Sequence, residues 1–88
     1  MTTWDEAKRR SNLAKHGGDF AIAERFDFHT AWIREDASEA YGERRDIAVG
    51  WIDDALYVYV YTLRDKEDHA ISLRKATPKE QRRYVEEV

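Results

Sequence analysis

The chain has 88 residues, with 15 Lys and Arg against 18 Asp and Glu, three His and no Cys, for a formal net charge of −3. That length holds one hydrophobic core, so residues 1–88 are expected to form a single domain. Disorder and membrane insertion are both disfavoured: 42% of residues are hydrophobic and 12% aromatic, and the longest uncharged run of the second half, residues 55–63, falls far short of the ~20 apolar residues of a membrane-spanning helix. The start lacks the basic-then-apolar order of a secretory signal, and with no Cys there are neither disulfides nor thiolate metal sites, so the expected compartment is the cytoplasm.

Net acidity argues against a nucleic-acid partner, because affinity for phosphate backbones comes mainly from Lys and Arg. The charge is unevenly spread, however. Residues 1–25 carry five bases and four acids, residues 26–73 five bases and eleven acids, and residues 74–88 five bases and three acids. The acidity is central and the ends are mildly basic.

A first helix is expected from about Trp4 to Lys15, with Thr3 as N-cap, Glu6 completing a capping box and Gly17 ending it in a left-handed turn. Its apolar stripe of Trp4, Ala7, Leu13 and Ala14 is thin, so it must dock to be stable. Asp19 can cap a second, short helix from Phe20 to about Phe26. Thr30 to Arg34 reads as a short strand, and Glu35 to Gly42 as a loop. Arg45 to Ile52 alternates as a strand, Asp53-Asp54 punctuates, and Leu56 to Arg64 completes a hairpin. In that second strand the period-2 geometry puts the aliphatic side chains on one face and Tyr57, Tyr59 and Tyr61 on the other, and neither face is plainly solvent-facing. A turn at Asp65 to Asp68 leads to a strand from about His69 to Lys75. Thr77-Pro78-Lys79-Glu80 is a capping box with proline at the first helical position, predicting a terminal helix from Pro78 to about Glu87. The class is α+β, in the order ααββββα, with a mainly antiparallel four-stranded sheet covered by helices.

Several residues could carry chemistry, each beside a plainer reading. His16 ends a basic helix, where the helix dipole favours an imidazolium able to donate a proton or meet a phosphate; it could equally bond a free carbonyl. Arg64 and Arg74 end adjacent strands, which places Arg64 near the start of the strand carrying Arg74 and not beside Arg74. Both could line one concavity and clamp a phosphodiester, or pair with Asp65 and Asp68. Tyr57, Tyr59 and Tyr61 could stack bases or form core. Glu35, Asp36, Glu39, Glu43 and Asp46 could supply a general base or form a solvated loop; their spacing matches no metal-binding motif. There is no phosphate-binding glycine loop, GxSxG, HExxH or Cys nucleophile, so no cofactor is expected.

Taken in order, Trp4-Asp5-Glu6-Ala7-Lys8, Asn12-Leu13-Ala14-Lys15-His16-Gly17, Tyr41-Gly42-Glu43-Arg44-Arg45, Tyr61-Thr62-Leu63-Arg64, Ile71-Ser72-Leu73-Arg74-Lys75-Ala76 and a terminal helix with Glu80 and Tyr84 resemble the BrnT family of toxin components over nearly the whole chain. The resemblance implies a small ribonuclease toxin of RelE-like fold. It also implies inhibition by a BrnA-type antitoxin whose ribbon-helix-helix domain binds operator DNA, which this chain would meet only through that partner. On that resemblance Arg64 and Arg74 are expected to hold phosphate and transition-state charge, with Lys15 or Lys75 assisting and Tyr59 as a further RNA contact. His16 is the candidate acid, and Glu43 or Tyr61 the base or orienting group. No metal is required for such cleavage. The competing class is a non-enzymatic antitoxin-binding module that helps regulate its own operon.

Overall fold

In the computed structural model, which describes residues 1–36 and 42–88, the first helix, α1, spans Glu6–His16 and is capped by Asp5, whose carboxylate accepts from the Ala7 and Lys8 N–H groups. Thr3 is not the cap, because its backbone is engaged elsewhere: its N–H donates to the Asp68 carbonyl (2.9 Å) and its carbonyl accepts from the Ala70 N–H (2.8 Å). Glu6 pairs with Arg9 instead of closing a capping box. At the other end Gly17 takes φ 72°, and its N–H returns to the Leu13 carbonyl.

The next segment, Phe20–Arg25, is a 3-10 helix capped by the Asp19 carboxylate. Three residues per turn stack every third side chain in line. Phe20, Ala23 and Phe26 are accordingly all buried, aimed at the sheet.

Four strands follow: β1 (Trp32–Asp36), β2 (Arg45–Ile52), β3 (Ala55–Arg64) and β4 (Glu67–Lys75), antiparallel and in sequence order. β1 starts two residues later than expected, since the Asp27 carboxylate accepts from the His29 N–H and the Thr30 hydroxyl and holds that stretch in a turn. It also runs two residues further, taking in Glu35 and Asp36; residues 37–41 of the expected loop, which include Glu39 and Tyr41, lie outside the described residues. The β3–β4 turn is only Asp65-Lys66, both at positive φ, which lets Arg64 pair with Glu67 and β4 begin before His69. β4 is bulged at Ile71, since Val60 pairs with Ser72 and Tyr61 with Ala70.

Residues directly opposite on antiparallel strands share a face. One face carries Ala48, Tyr59, Tyr61, Ala70 and Leu73, packed against Phe20, Ala23 and Phe26. The other carries Val49, Leu56 and Val58, met by Tyr84 of the second helix, α2 (Pro78–Glu87). The α2 capping box forms as expected, with Thr77 and Glu80 exchanging both bonds. α2 covers only one end of that face, tied down by the Tyr84 hydroxyl on the Thr30 carbonyl (2.7 Å).

Asn12, buried in α1, joins the helix to the sheet: its Nδ2 donates to the Gly18 and Leu73 carbonyls, and its Oδ1 accepts from the Leu73 N–H. Thr3 and Asn12 thus satisfy backbone groups on the outer edge of β4 that would otherwise be open to a foreign strand.

Candidate functional site

The register arranges the half-covered face into cross-strand rows. Trp32, Val49, Val58 and Arg74 form the row nearest α2, and Arg34, Ile47, Val60 and Ser72 the next. Beyond them Asp36 pairs with Arg45, Thr62 with His69, and Arg64 with Glu67. Arg64 and Arg74 therefore share a face. They stand six residues apart along β3, about 20 Å at ~3.3 Å per residue. One phosphate cannot reach both, which corrects the expectation of a single clamp.

Under α2 the first two rows floor a cavity of about 640 Å³. Ile47, Val49, Val58 and Val60 form its bottom, and Arg34, Arg74, Lys79, Arg82 and Arg83 stand round it against Glu80 and Glu86. Among the described residues, five cations facing two carboxylates make this region basic on a chain whose net charge is −3. The guanidinium carbons of Arg34 and Arg83 lie 4.9 and 5.4 Å from the Trp32 ring centroid, within cation–π range. Arg74 is held by both Glu80 oxygens, at 2.6 and 2.8 Å. That bidentate pair, with the Thr77 N–H on Oε1, brings the Glu80 pKa down to about 2.

At the far end of the face, the exposed Arg64 donates to Glu43 Oε1 (3.2 Å). Beside them stands His69, half-buried, with Nδ1 2.8 Å from the Thr3 hydroxyl. Burial first, and then the nearby Arg64 cation, lowers the His69 pKa, with Glu43, Lys8 and Asp5 as its other charged neighbours.

His16 and Lys15 lie over the β4 edge from this face, in a groove of about 200 Å³ shared with Lys8, Asn12, Ile71 and Ser72. Ser72 lines both the groove and the cavity under α2, so the two concavities adjoin.

The remaining candidates face the other way. Tyr59 is fully buried, its ring against Phe26 and its hydroxyl donating to Asp68 (2.6 Å), so no base can stack on it. Burial and the Asp68 carboxylate raise its pKa. Tyr61 stacks on Tyr59 on the same packed face, and burial raises its pKa too, which removes it as a base beside Arg64. Lys75 pairs with Tyr57 and belongs to that face by register. Asp46 is buried and bonded to Arg44.

Trp32, Arg34, Lys8 and His69 were not singled out by the sequence patterns. For His69 the available signal was the two-residue turn: once Asp65-Lys66 closes it, position 69 falls opposite Thr62, close to Arg64.

A two-sided antiparallel sheet with one face packed by an N-terminal helical pair and the other left basic and partly open defines a small α+β domain. The family model for the ribonuclease toxin BrnT of type II toxin-antitoxin systems matches residues 4–80, and the chain belongs to this family. It is thus a toxin component of such a system, and the system implies an antitoxin partner. No curated protein matches the chain closely enough to count as a relative. Among the described residues, no helix is long and apolar enough to cross a membrane.

Proposed function

We propose that the chain is a metal-independent endoribonuclease whose RNA runs along the β4 side of the open face, with Arg74 and Arg64 meeting different phosphates of one strand. The observation that carries this reading is the register, which puts both arginines and His69 on the face α2 leaves partly uncovered while the tyrosines are packed away. Cleavage needs a base on the ribose 2′-OH, positive charge on the phosphate and an acid for the departing 5′-oxygen. Arg64, Arg74 and Lys15 supply charge, and His16 in the adjoining groove supplies the acid. Cleavage inhibits growth by depriving the cell of intact message, and a BrnA-like ribbon-helix-helix antitoxin neutralises the toxin.

A second reading, an antitoxin-binding module without activity, draws on the aliphatic floor of the cavity, which suits a protein's apolar side chains better than bases. Producing the chain alone in bacteria separates the two. Rapid growth arrest with fragmented RNA, abolished by Arg64→Ala and by Arg74→Ala in folded protein, supports the enzyme; indifference to the chain supports the module.

A further inference from the structure

We infer that His69 is the general base of the reaction, accepting the 2′-OH proton at Nε2 on the Arg64 side of the face. The inference rests on the ribonuclease reading and adds to it the one role that the sequence-derived candidates leave unfilled. Of those, Tyr61 is packed on the opposite face and Glu43 is paired with Arg64.

Three observations converge on His69. It pairs with Thr62, two residues before Arg64 on the neighbouring strand, and so lies on the face that carries Arg64. Its Nδ1 is fixed by the Thr3 hydroxyl at 2.8 Å, and Thr3 is itself pinned to β4 by two backbone bonds, so the ring is oriented from behind. Nε2 has no hydrogen-bond partner among the described residues. The Thr3 hydroxyl can accept from Nδ1–H, and in that tautomer Nε2 carries the lone pair that a base requires. The charged groups around it are Arg64 on β3, Glu43 before β2, and Lys8 and Asp5 at the start of α1. Burial first, and then the Arg64 and Lys8 cations, favours the neutral imidazole, with Glu43 and Asp5 opposing.

The step balances within the RNA. As Nε2 takes the proton, the 2′-oxygen bonds to phosphorus, the bond from phosphorus to the 5′-oxygen breaks, and that oxygen leaves with the electron pair and takes a proton from His16. The products are a 2′,3′-cyclic phosphate and a 5′-hydroxyl.

The test is the pH dependence of kcat/KM for cleavage of a synthetic RNA oligonucleotide by the parent, His69→Gln, His16→Gln and Thr3→Val. His69→Gln is expected to lose about 100-fold or more in kcat with KM little changed, to lose the acidic limb of the profile, and to keep the parental melting temperature at neutral pH. His16→Gln should lose activity while keeping the acidic limb. Thr3→Val keeps the backbone pairing and should cost about tenfold through the unfixed ring, which preserves the test if His69→Gln fails to fold. An His69→Gln enzyme cutting within threefold of the parent, with its acidic limb intact, overturns the assignment while leaving the ribonuclease reading standing. A parent that cuts no RNA at any pH overturns both.

Discussion

Asn12 satisfies both backbone groups of Leu73, with Nδ2 2.7 Å from the carbonyl oxygen and Oδ1 3.2 Å from the amide nitrogen. A side-chain amide on α1 thereby acts as one residue of an additional strand. Its role is structural, at the base of the groove that it lines with Lys15 and His16. Replacing Asn12 with Ala leaves buried backbone groups unpaired at ~1 to 3 kcal/mol each, so a loss of about 3 kcal/mol is expected in urea unfolding. A loss under 1 kcal/mol would show that α1 is held mainly by other contacts.

Gly18 should tolerate no side chain. A Cβ there would stand 2.3 Å from the Leu73 carbonyl oxygen, a backbone atom that cannot turn aside. Gly18→Ala is expected to push α1 off β4 and to destabilise the protein at least as much as Asn12→Ala, whereas Ser11→Ala, on the exposed side of the helix, should be neutral within ~0.5 kcal/mol. Parallel melting curves of the three variants check the order.

The buried tyrosine network gives a prediction that separates core from RNA contact. Asp68 accepts from both the Tyr59 hydroxyl and the Thr2 hydroxyl. Tyr59→Phe removes a bond to a charged acceptor, so a stability loss of about 2 kcal/mol is expected, with RNA cleavage unchanged at temperatures well below the melt. Reduced RNA affinity in a fully folded Tyr59→Phe protein would put the ring back among the nucleic-acid contacts.

Two groups set distinct pH windows for stability. Glu80 titrates near 2 when folded against an ordinary 4.5, so its pairing with Arg74 contributes fully above 4.5 and is lost as pH falls from there towards 2. His69 has a folded pKa lowered from 6.5, so the unfolded chain binds more protons below that pH and stability falls as pH drops through it. Glu80→Gln should flatten the stability profile between pH 4.5 and 2, and His69→Gln should flatten it just below pH 6.5. Identical profiles for the parent and both variants would contradict these linkages.

Elements whose signals are local were legible before the fold was known. The α2 capping box lies within four consecutive residues, Thr77 to Glu80, and β2 alternates from Arg45 to Ile52 as read. Thr3 looked like a cap because its competing partner, β4, is 66 residues away and cannot be seen from the helix sequence. Period 2 placed the three tyrosines on one side of β3, but only the packing of Phe20, Ala23 and Phe26 shows that this side is core. The site was read least well for the same reason. Glu67 and Asp68 have turn-like composition, which hid the two-residue turn that brings His69 near Arg64, and the bulge at Ile71 cannot be located without the partner strand.

The charge distribution also changes meaning in three dimensions. Arg34, from the acidic middle of the chain, joins Arg74, Lys79, Arg82 and Arg83 round one cavity, with Glu80 and Glu86 interspersed. A small mixed patch of this kind should bind RNA through few phosphates, so affinity is expected to fall only modestly with salt. A slope of log K on log[salt] near −2 or −3 fits a few contacts on a single strand, and a slope steeper than about −6 would indicate a far longer basic track.

The most direct measurement for the whole account is cleavage of a 5′-labelled RNA oligonucleotide by the purified chain in excess EDTA, alongside Arg64→Ala. The account predicts cleavage by the parent that is indifferent to EDTA, fragments ending in 2′,3′-cyclic phosphate, and loss of cleavage in a folded Arg64→Ala variant. Cleavage that EDTA abolishes, or that Arg64→Ala leaves at the parental rate, would contradict it.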